Sequence, residues 1–292
     1  MLNSISKNQE DLAETVRRVI IFFDLFDYPL TAYEVFKYLD KQVALSEIIA
    51  TLDFLVSIKK IKQENGFFFL SDRREILNTR ALRHNYSWRK IKIAQRFTKI
   101  FKVCPFVRCV ILANSIGQNN MRDGSDIDFL IITAPQRLWL TRLFCTGVAK
   151  LAKSRPTEKN KRDKICLSFY LSAAKMNLEQ FKLANSDPYF YYWLRSLVLL
   201  YNKKRTYEQF LSVNGLLPTA LFKSEDCFVS SKSKILNYLE KLSADFQLAI
   251  MPPALKEAAN NSDGVVINNQ VLKLYLHDRR REYAEKYGER LI

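Results

Sequence analysis

Histidine is almost missing from this 292-residue chain: there are two, His84 and His277, far apart in sequence. So few imidazoles leave little room for a Ser-His-Asp triad. The five cysteines, Cys104, Cys109, Cys145, Cys166 and Cys227, are odd in number and contain no Cys-x-x-Cys pair. That argues against a structural zinc site and against a disulfide framework, and leaves buried thiols as the expectation. Glycine and proline are also scarce, at 7 and 8, which excludes fibrous and low-complexity organisation. No apolar run approaches the ~20 residues of a membrane helix. The most apolar stretches, residues 109–113 and 129–133, are strand-sized. Lys7, Glu10 and Asp11 precede any apolar segment, unlike a secretory leader. A cytoplasmic protein with no membrane partner is therefore expected.

What is plentiful is apolar content, 48%, and positive charge, formally +16 with a pI of about 9.6. The first is enough for two or three small domains. The second suggests a polyanionic partner. The charge is uneven: residues 72–104 hold ten Lys/Arg against two acids, and residues 135–164 hold nine against two. Solvated basic helix faces are the plainer alternative.

The chain divides into three parts: 1–71, 72–175 and 176–292. In the first, apolar spacing predicts a helix over 11–26, stopped by Asp27-Tyr28-Pro29. Thr31 with Glu34 forms a capping box for a second helix. Ser46 opens a third, and Asn65-Gly66 marks a hairpin. Three helices followed by a hairpin is the order of a winged helix. The second part predicts a long basic helix over 73–102, strands at 107–113, 125–133 and 164–172, a turn and short helix at 114–120, and a helix at 135–153. The third part reads as mostly helical, with an aromatic run at 187–201, an amphipathic helix at 233–250 and a charged helix at 272–290.

The chemistry concentrates in Leu112-Ala113-Asn114-Ser115-Ile116-Gly117 and, after it, Ser125-Asp126-Ile127-Asp128. Strand alternation puts Asp126 and Asp128 on one face, roughly 7 Å apart along the chain. Two carboxylates beside an apolar strand repel each other unless a cation or strong donors offset the charge. Magnesium suits such a pair, since it takes hard oxygens from one or two carboxylates and from substrate phosphates. Ser115, in a turn, offers a hydroxyl and backbone N–H groups to the outer phosphates. Asp-x-Asp alone is often only exposed polar surface. Here it opens an apolar strand, follows Gly124-Ser125, and lies eleven residues after a serine turn.

Residues 107–172 thus resemble the nucleotidyltransferase superfamily typified by DNA polymerase beta, in particular its small bacterial and archaeal members. Asn114-Ser115 occupies the Gly-Ser turn, and Asp126 and Asp128 occupy the metal-ligand positions. The resemblance implies an α/β (α+β) nucleotidyltransferase core, preceded by a winged-helix domain and followed by a helical C-terminal region. It also implies one or two magnesium ions as cofactor and a nucleoside triphosphate as substrate. The implied reaction transfers nucleoside monophosphate to an acceptor hydroxyl on nucleic acid, protein or a small molecule. Asn114, Ser115 and Ser125 would contact the nucleotide; Asp126 and Asp128 would be metal ligands and catalytic groups. Two departures stand out. Asn114 replaces a glycine, and the family's third carboxylate is not evident: Ser168 stands near its position, and Asp163, the nearest acid, precedes the strand. The alternative is therefore a catalytically impaired module that engages nucleic acid or a partner protein through the winged helix.

Three further features have two readings. The third helix of the first part, 46–60, has no basic residue before Lys59, so it fits protein packing as well as nucleic acid. The 73–102 helix is the better polyanion surface, with Tyr86 and Trp88 available for stacking. Tyr189 to Trp193 reads as core more than as a base platform. His277-Asp278-Arg279-Arg280-Arg281 is either a phosphate grip or a solvated helix end.

Overall fold

The computed structural model describes residues 7–113, 116–184, 187–218, 233–259 and 261–291. Helix α1 (Lys7–Asp24) buries Val16, Val19, Ile20 and Phe23. It ends where Asp27 takes a left-handed φ of 50° ahead of Tyr28-Pro29. Helix α2 (Ala32–Tyr38) carries the expected capping box, with both the Thr31 and the Glu34 halves formed. After α3 (Leu45–Ser57), strands β1 (Lys62–Glu64) and β2 (Phe67–Phe69) pair antiparallel. Asn65 and Gly66 both adopt positive φ, 53° and 80°, as a two-residue hairpin turn requires. Leu30 bridges to Phe68, so the chain between α1 and α2 adds to this small sheet.

The long helix α4 (Ile76–Phe101) follows, then β3 (Val107–Leu112), β4 (Ile127–Thr133), α5 (Leu138–Leu151) and β5 (Ile165–Ser172). The remainder comprises a 3-10 turn (Glu179–Phe181), α6 (Pro188–Ser196), β6 (Val198–Asn202), α7 (Thr206–Val213), α8 (Lys234–Ala249), α9 (Pro253–Glu257), β7 (Val265–Ile267), β8 (Val271–Leu274) and α10 (Arg280–Leu291). The main sheet runs β6-β3-β4-β5-β8-β7. Only β4 and β5 are parallel, joined by the α5 crossover; the other neighbours are antiparallel. This is a mixed α/β protein with a six-stranded mixed sheet.

Four expectations need correction. The part from 176 onward is not simply helical, since β6, β7 and β8 supply half the sheet. The helix expected over 272–290 begins only at Arg280, because Val271, Leu272 and Lys273 are buried as a strand against β5. Likewise 198–202 leaves the helical pattern to pair with β3. In these first three cases pairing with a distant strand overrides the local pattern. Of the turn and short helix expected at 114–120, residues 116–120 form turns without a helix. Asn114 and Ser115 lie outside the described residues.

Helix α4 and the residues just before it join the two sheets, and their charges explain how. Arg73 pairs with Asp24 and Asp27 at 3.1 and 2.6 Å, Arg80 with Glu34 at 2.7 Å, and Arg83 with Asp27 at 2.9 Å. Arg89 reaches Asp123 and Asp163 at 2.6 and 3.0 Å, and fully buried Lys90 reaches Asp163 at 2.8 Å. Much of this helix's positive charge is thus neutralised inside the protein. Its outward face keeps Lys92, Arg96 and Lys99, with Trp88 exposed. The core around α1–α3 also takes in Tyr192 and Tyr287 from late in the chain. Two further cores cover the two faces of the main sheet. Among the described residues, no helix is long and apolar enough to cross a membrane.

Candidate functional site

The site forms where β4 and β5 run parallel. Both strands are apolar and almost wholly buried, as expected for strands covered on both faces. The exceptions to that burial mark the site. Asp128 is half-buried, and Asp126 sits just before β4 on the same side. Asp128 stands directly opposite Cys166 in the β4–β5 ladder. Donor atoms of Asp126, Asp128 and Cys166 all lie within 4.8 Å of one another. At the other end of the turn, the Ala113 N–H donates to the Asp128 carbonyl at 2.9 Å, fixing the end of β3 against β4.

The side chain beside the aspartates is therefore Cys166, not Ser168. Ser168 is two residues further along the same face, with its hydroxyl 3.0 Å from the Cys166 sulfur. Asp163 does not serve as a third acid. It is bound to Lys90 and Arg89, which outweigh its partial burial and hold its carboxyl below the usual range. Ser125 lies in the turn before β4, where its hydroxyl donates to the carbonyls of Arg122 and Asp126 at 3.0 and 3.2 Å.

The electrostatics follow from burial. Loss of solvent, then the neighbouring Asp126, push the Asp128 carboxyl up to about 7. Burial, then the two carboxylates, push the Cys166 thiol well above its ordinary value. A cation would relieve both. Magnesium fits the two carboxylates, whose hard oxygens match the way it is held beside substrate phosphates. It does not fit the thiol, a soft donor.

These three side chains lie in a cavity of about 640 Å³, a size typical of small-molecule sites. One wall is aromatic: Phe169, Tyr189, Trp193, Tyr275 and Tyr283. Arg122, Lys161 and Arg279, all exposed, bring positive charge to its lining, and exposed His277 lies beside them. The aromatic run 189–193 is thus split. Phe190 and Tyr192 are buried, whereas Tyr189 and Trp193 are half-buried at the cavity. The Trp193 indole N–H donates to the Ala113 carbonyl at 3.3 Å, which sets its ring beside the end of β3.

Residues 277–280 reach the cavity because β8 docks on β5. Arg280 forks onto Asp278 at 2.7–2.9 Å and also donates to the Phe181 carbonyl. Buried Lys273 donates to Asp278 at 3.2 Å. Burial works against the Asp278 charge, but the Arg280 fork and Lys273 prevail and hold it down to about 2. Arg280 also lies 3.6 Å from Asp187, whose carboxylate caps α6 by accepting from the Phe190 N–H. This network locks the β8–α10 loop onto the helix bearing the aromatic wall. Arg279 is bound by Glu282 through two bonds of 2.7 and 2.8 Å. Sequence reasoning missed Cys166, whose only signal was its place on the strand beside Asp-x-Asp.

What fold and site define together is a mixed α/β protein with a paired-carboxylate cavity. Comparison of the chain with known protein families, with curated proteins and with solved structures finds no match.

Proposed function

We propose that the protein binds a nucleoside triphosphate with a divalent metal ion and transfers its nucleoside monophosphate to an acceptor hydroxyl. The observation that carries this reading is the Asp126–Asp128 pair, set on one face at β4 in a cavity of about 640 Å³. Asp126 and Asp128 would hold the metal, which when bound supplies charge neutralisation for in-line phosphoryl chemistry. A new bond forms between the acceptor oxygen and the α-phosphorus, the bond to pyrophosphate breaks, and the acceptor proton passes to solvent. Tyr189, Trp193 and their neighbours offer flat faces on which a base can stack. Arg122 and Lys161 give the cavity positive charge that attracts an anionic substrate. Under this reading the helices and hairpin of 1–71 are a winged helix, and the acceptor is a nucleic acid, a protein or a small molecule.

One observation favours a second reading. The third position of the cluster is a thiol, not a carboxylate, so beyond the two metal-holding aspartates the group offers no third carboxylate to serve as general base. A module that binds metal and nucleotide without turnover, and engages nucleic acid or a partner protein, would need none. Calorimetric titration with each of the four triphosphates plus magnesium tests both readings, alongside the Asp126→Ala, Asp128→Ala double variant. Magnesium-dependent heat that vanishes in the double variant is expected. Pyrophosphate release on adding acceptors then separates the enzyme from the binding module. Absence of heat with every triphosphate, in well-folded protein, would refute both.

A further inference from the structure

We propose that Asp126, Asp128 and Cys166 form a three-donor site that selects a thiolate-accepting divalent cation of the zinc and cobalt class over magnesium. The inference shares its carboxylates with the nucleotidyl-transfer reading and deepens it, but does not require a nucleotide.

Three observations converge on it. The first is mutual placement: the three donor atoms lie within 4.8 Å of one another. Around a zinc-class ion, metal–sulfur bonds of ~2.3 Å and metal–oxygen bonds of ~2.0–2.2 Å put donors about 3.3–3.8 Å apart. Rotations of three side chains by about an ångström or less close that gap. The second is the origin of the placement. Cys166 faces Asp128 as its partner in the parallel ladder, so the backbone register fixes the sulfur beside the carboxylate. The other described thiols, Cys104, Cys109 and Cys145, are equally buried yet join no such group. The third is what lies around the cluster. The Ser168 hydroxyl, 3.0 Å from the sulfur, can donate to a thiolate and orient it. The three residues also line the cavity, which leaves a fourth position for water or a phosphate oxygen, as in zinc sites with three protein ligands.

The selectivity follows from donor chemistry. A hard cation gains two carboxylates here and nothing from sulfur, whereas a borderline cation gains all three donors. On binding, sulfur gives up its proton to solvent and forms one metal–sulfur bond, with no change of oxidation state.

The test is titration of the full chain with cobalt(II) alone, without nucleotide, followed by ultraviolet and visible absorption. A sulfur-to-cobalt charge-transfer band saturating at one equivalent is expected. Zinc should displace it at equimolar concentration, and roughly a thousandfold excess of magnesium should not. Cys166→Ser should abolish the band and weaken cobalt binding by at least about a hundredfold. Cys109→Ser, which removes a buried thiol elsewhere on the sheet, should keep the band. Circular dichroism of each variant establishes that it is folded. Absence of the band in wild type, its persistence in Cys166→Ser, or its loss to magnesium would each overturn the proposal. The magnesium–triphosphate calorimetry separates the two claims. Nucleotide heat without a cobalt band removes this inference alone, and a cobalt band without nucleotide heat removes the nucleotide reading alone.

Discussion

Replacing Asp128 by asparagine should make the protein more stable while disabling its site. Burial and the neighbouring Asp126 push the Asp128 carboxyl from its ordinary 3.8 up to about 7. The folded chain therefore keeps this proton to near neutrality, whereas the unfolded chain releases it near pH 4. Between those values the native state binds more protons than the unfolded state, so stability falls as pH rises from about 4 to about 7. Above the folded value the penalty is complete; below the unfolded value it is absent. About three pH units at ~1.4 kcal/mol each set an upper bound of about 4 kcal/mol. The neutral amide has nearly the same shape and pays no such penalty at any pH. At pH 8 and free of divalent cations, Asp128→Asn should exceed wild type by on the order of 1–4 kcal/mol. That corresponds to several degrees in melting temperature for a chain of this size. At pH 4 the two should nearly coincide. Thermal denaturation by circular dichroism at the two pH values, in chelator, reads the difference directly. Adding a divalent cation at pH 8 should raise the melting temperature of wild type more than that of the variant. A variant no more stable than wild type at pH 8, or a gap that ignores pH, would refute the assignment of Asp128 as an acid whose charge is destabilised by desolvation and by Asp126.

Two further substitutions probe what holds the site in place. The Lys90 ammonium is fully buried and donates to the carbonyls of Asp123 and Ser125 at 3.0 and 2.6 Å, and to Asp163 at 2.8 Å. Lys90→Met should therefore cost about 3–5 kcal/mol, seen as a lower urea midpoint at unchanged slope, and a loss below about 1 kcal/mol would contradict the anchoring role. At Gly264 a Cβ would lie 2.0 Å from the Tyr275 carbonyl oxygen, a backbone atom that cannot swing aside. Gly264→Ala should cost at least about 2–3 kcal/mol and loosen the β7–β8 edge; a melting curve like that of wild type would show that this edge yields without cost.

How much was readable beforehand depended on how local each signal was. The capping box at Thr31 and Glu34 and the Asn65-Gly66 hairpin act within a few residues, and both form as the sequence implies. The strands β3, β4 and β5 were legible as continuous apolar runs, which buried strands must be. By contrast β6 and β8 owe their state to partners far along the chain. Val198–Asn202 follows directly on a helix, and Val271–Leu274 abuts a charged helical pattern. The charge of residues 73–102 was only partly legible for the same reason. Nothing near Arg73, Arg80 or Lys90 in sequence reveals that Asp24, Glu34 and Asp163 will meet them. Asp126 and Asp128 announced themselves by spacing, whereas Cys166 acquires meaning only from the register that sets it opposite Asp128.

The pairing of β8 with β5 also sets a timetable for biosynthesis. Phe169 on β5 pairs with Lys273 on β8, so about a hundred residues separate the two partners. At a translation rate of ~5–20 residues per second, β5 emerges roughly 5–20 s before the strand that covers its edge. During that interval β3, β4 and β5 are all available, and one side of β5 presents unpaired backbone groups beside the apolar Phe169 and Leu171. Such an edge invites pairing with another nascent chain. The contacts that bring the last helix home, Tyr287 donating to the Arg18 carbonyl and Arg290 pairing with Asp24, come later still. The cavity can close only once its lining up to Tyr283 has emerged, which makes the open flank of β5 the place where a nascent-chain chaperone would matter most.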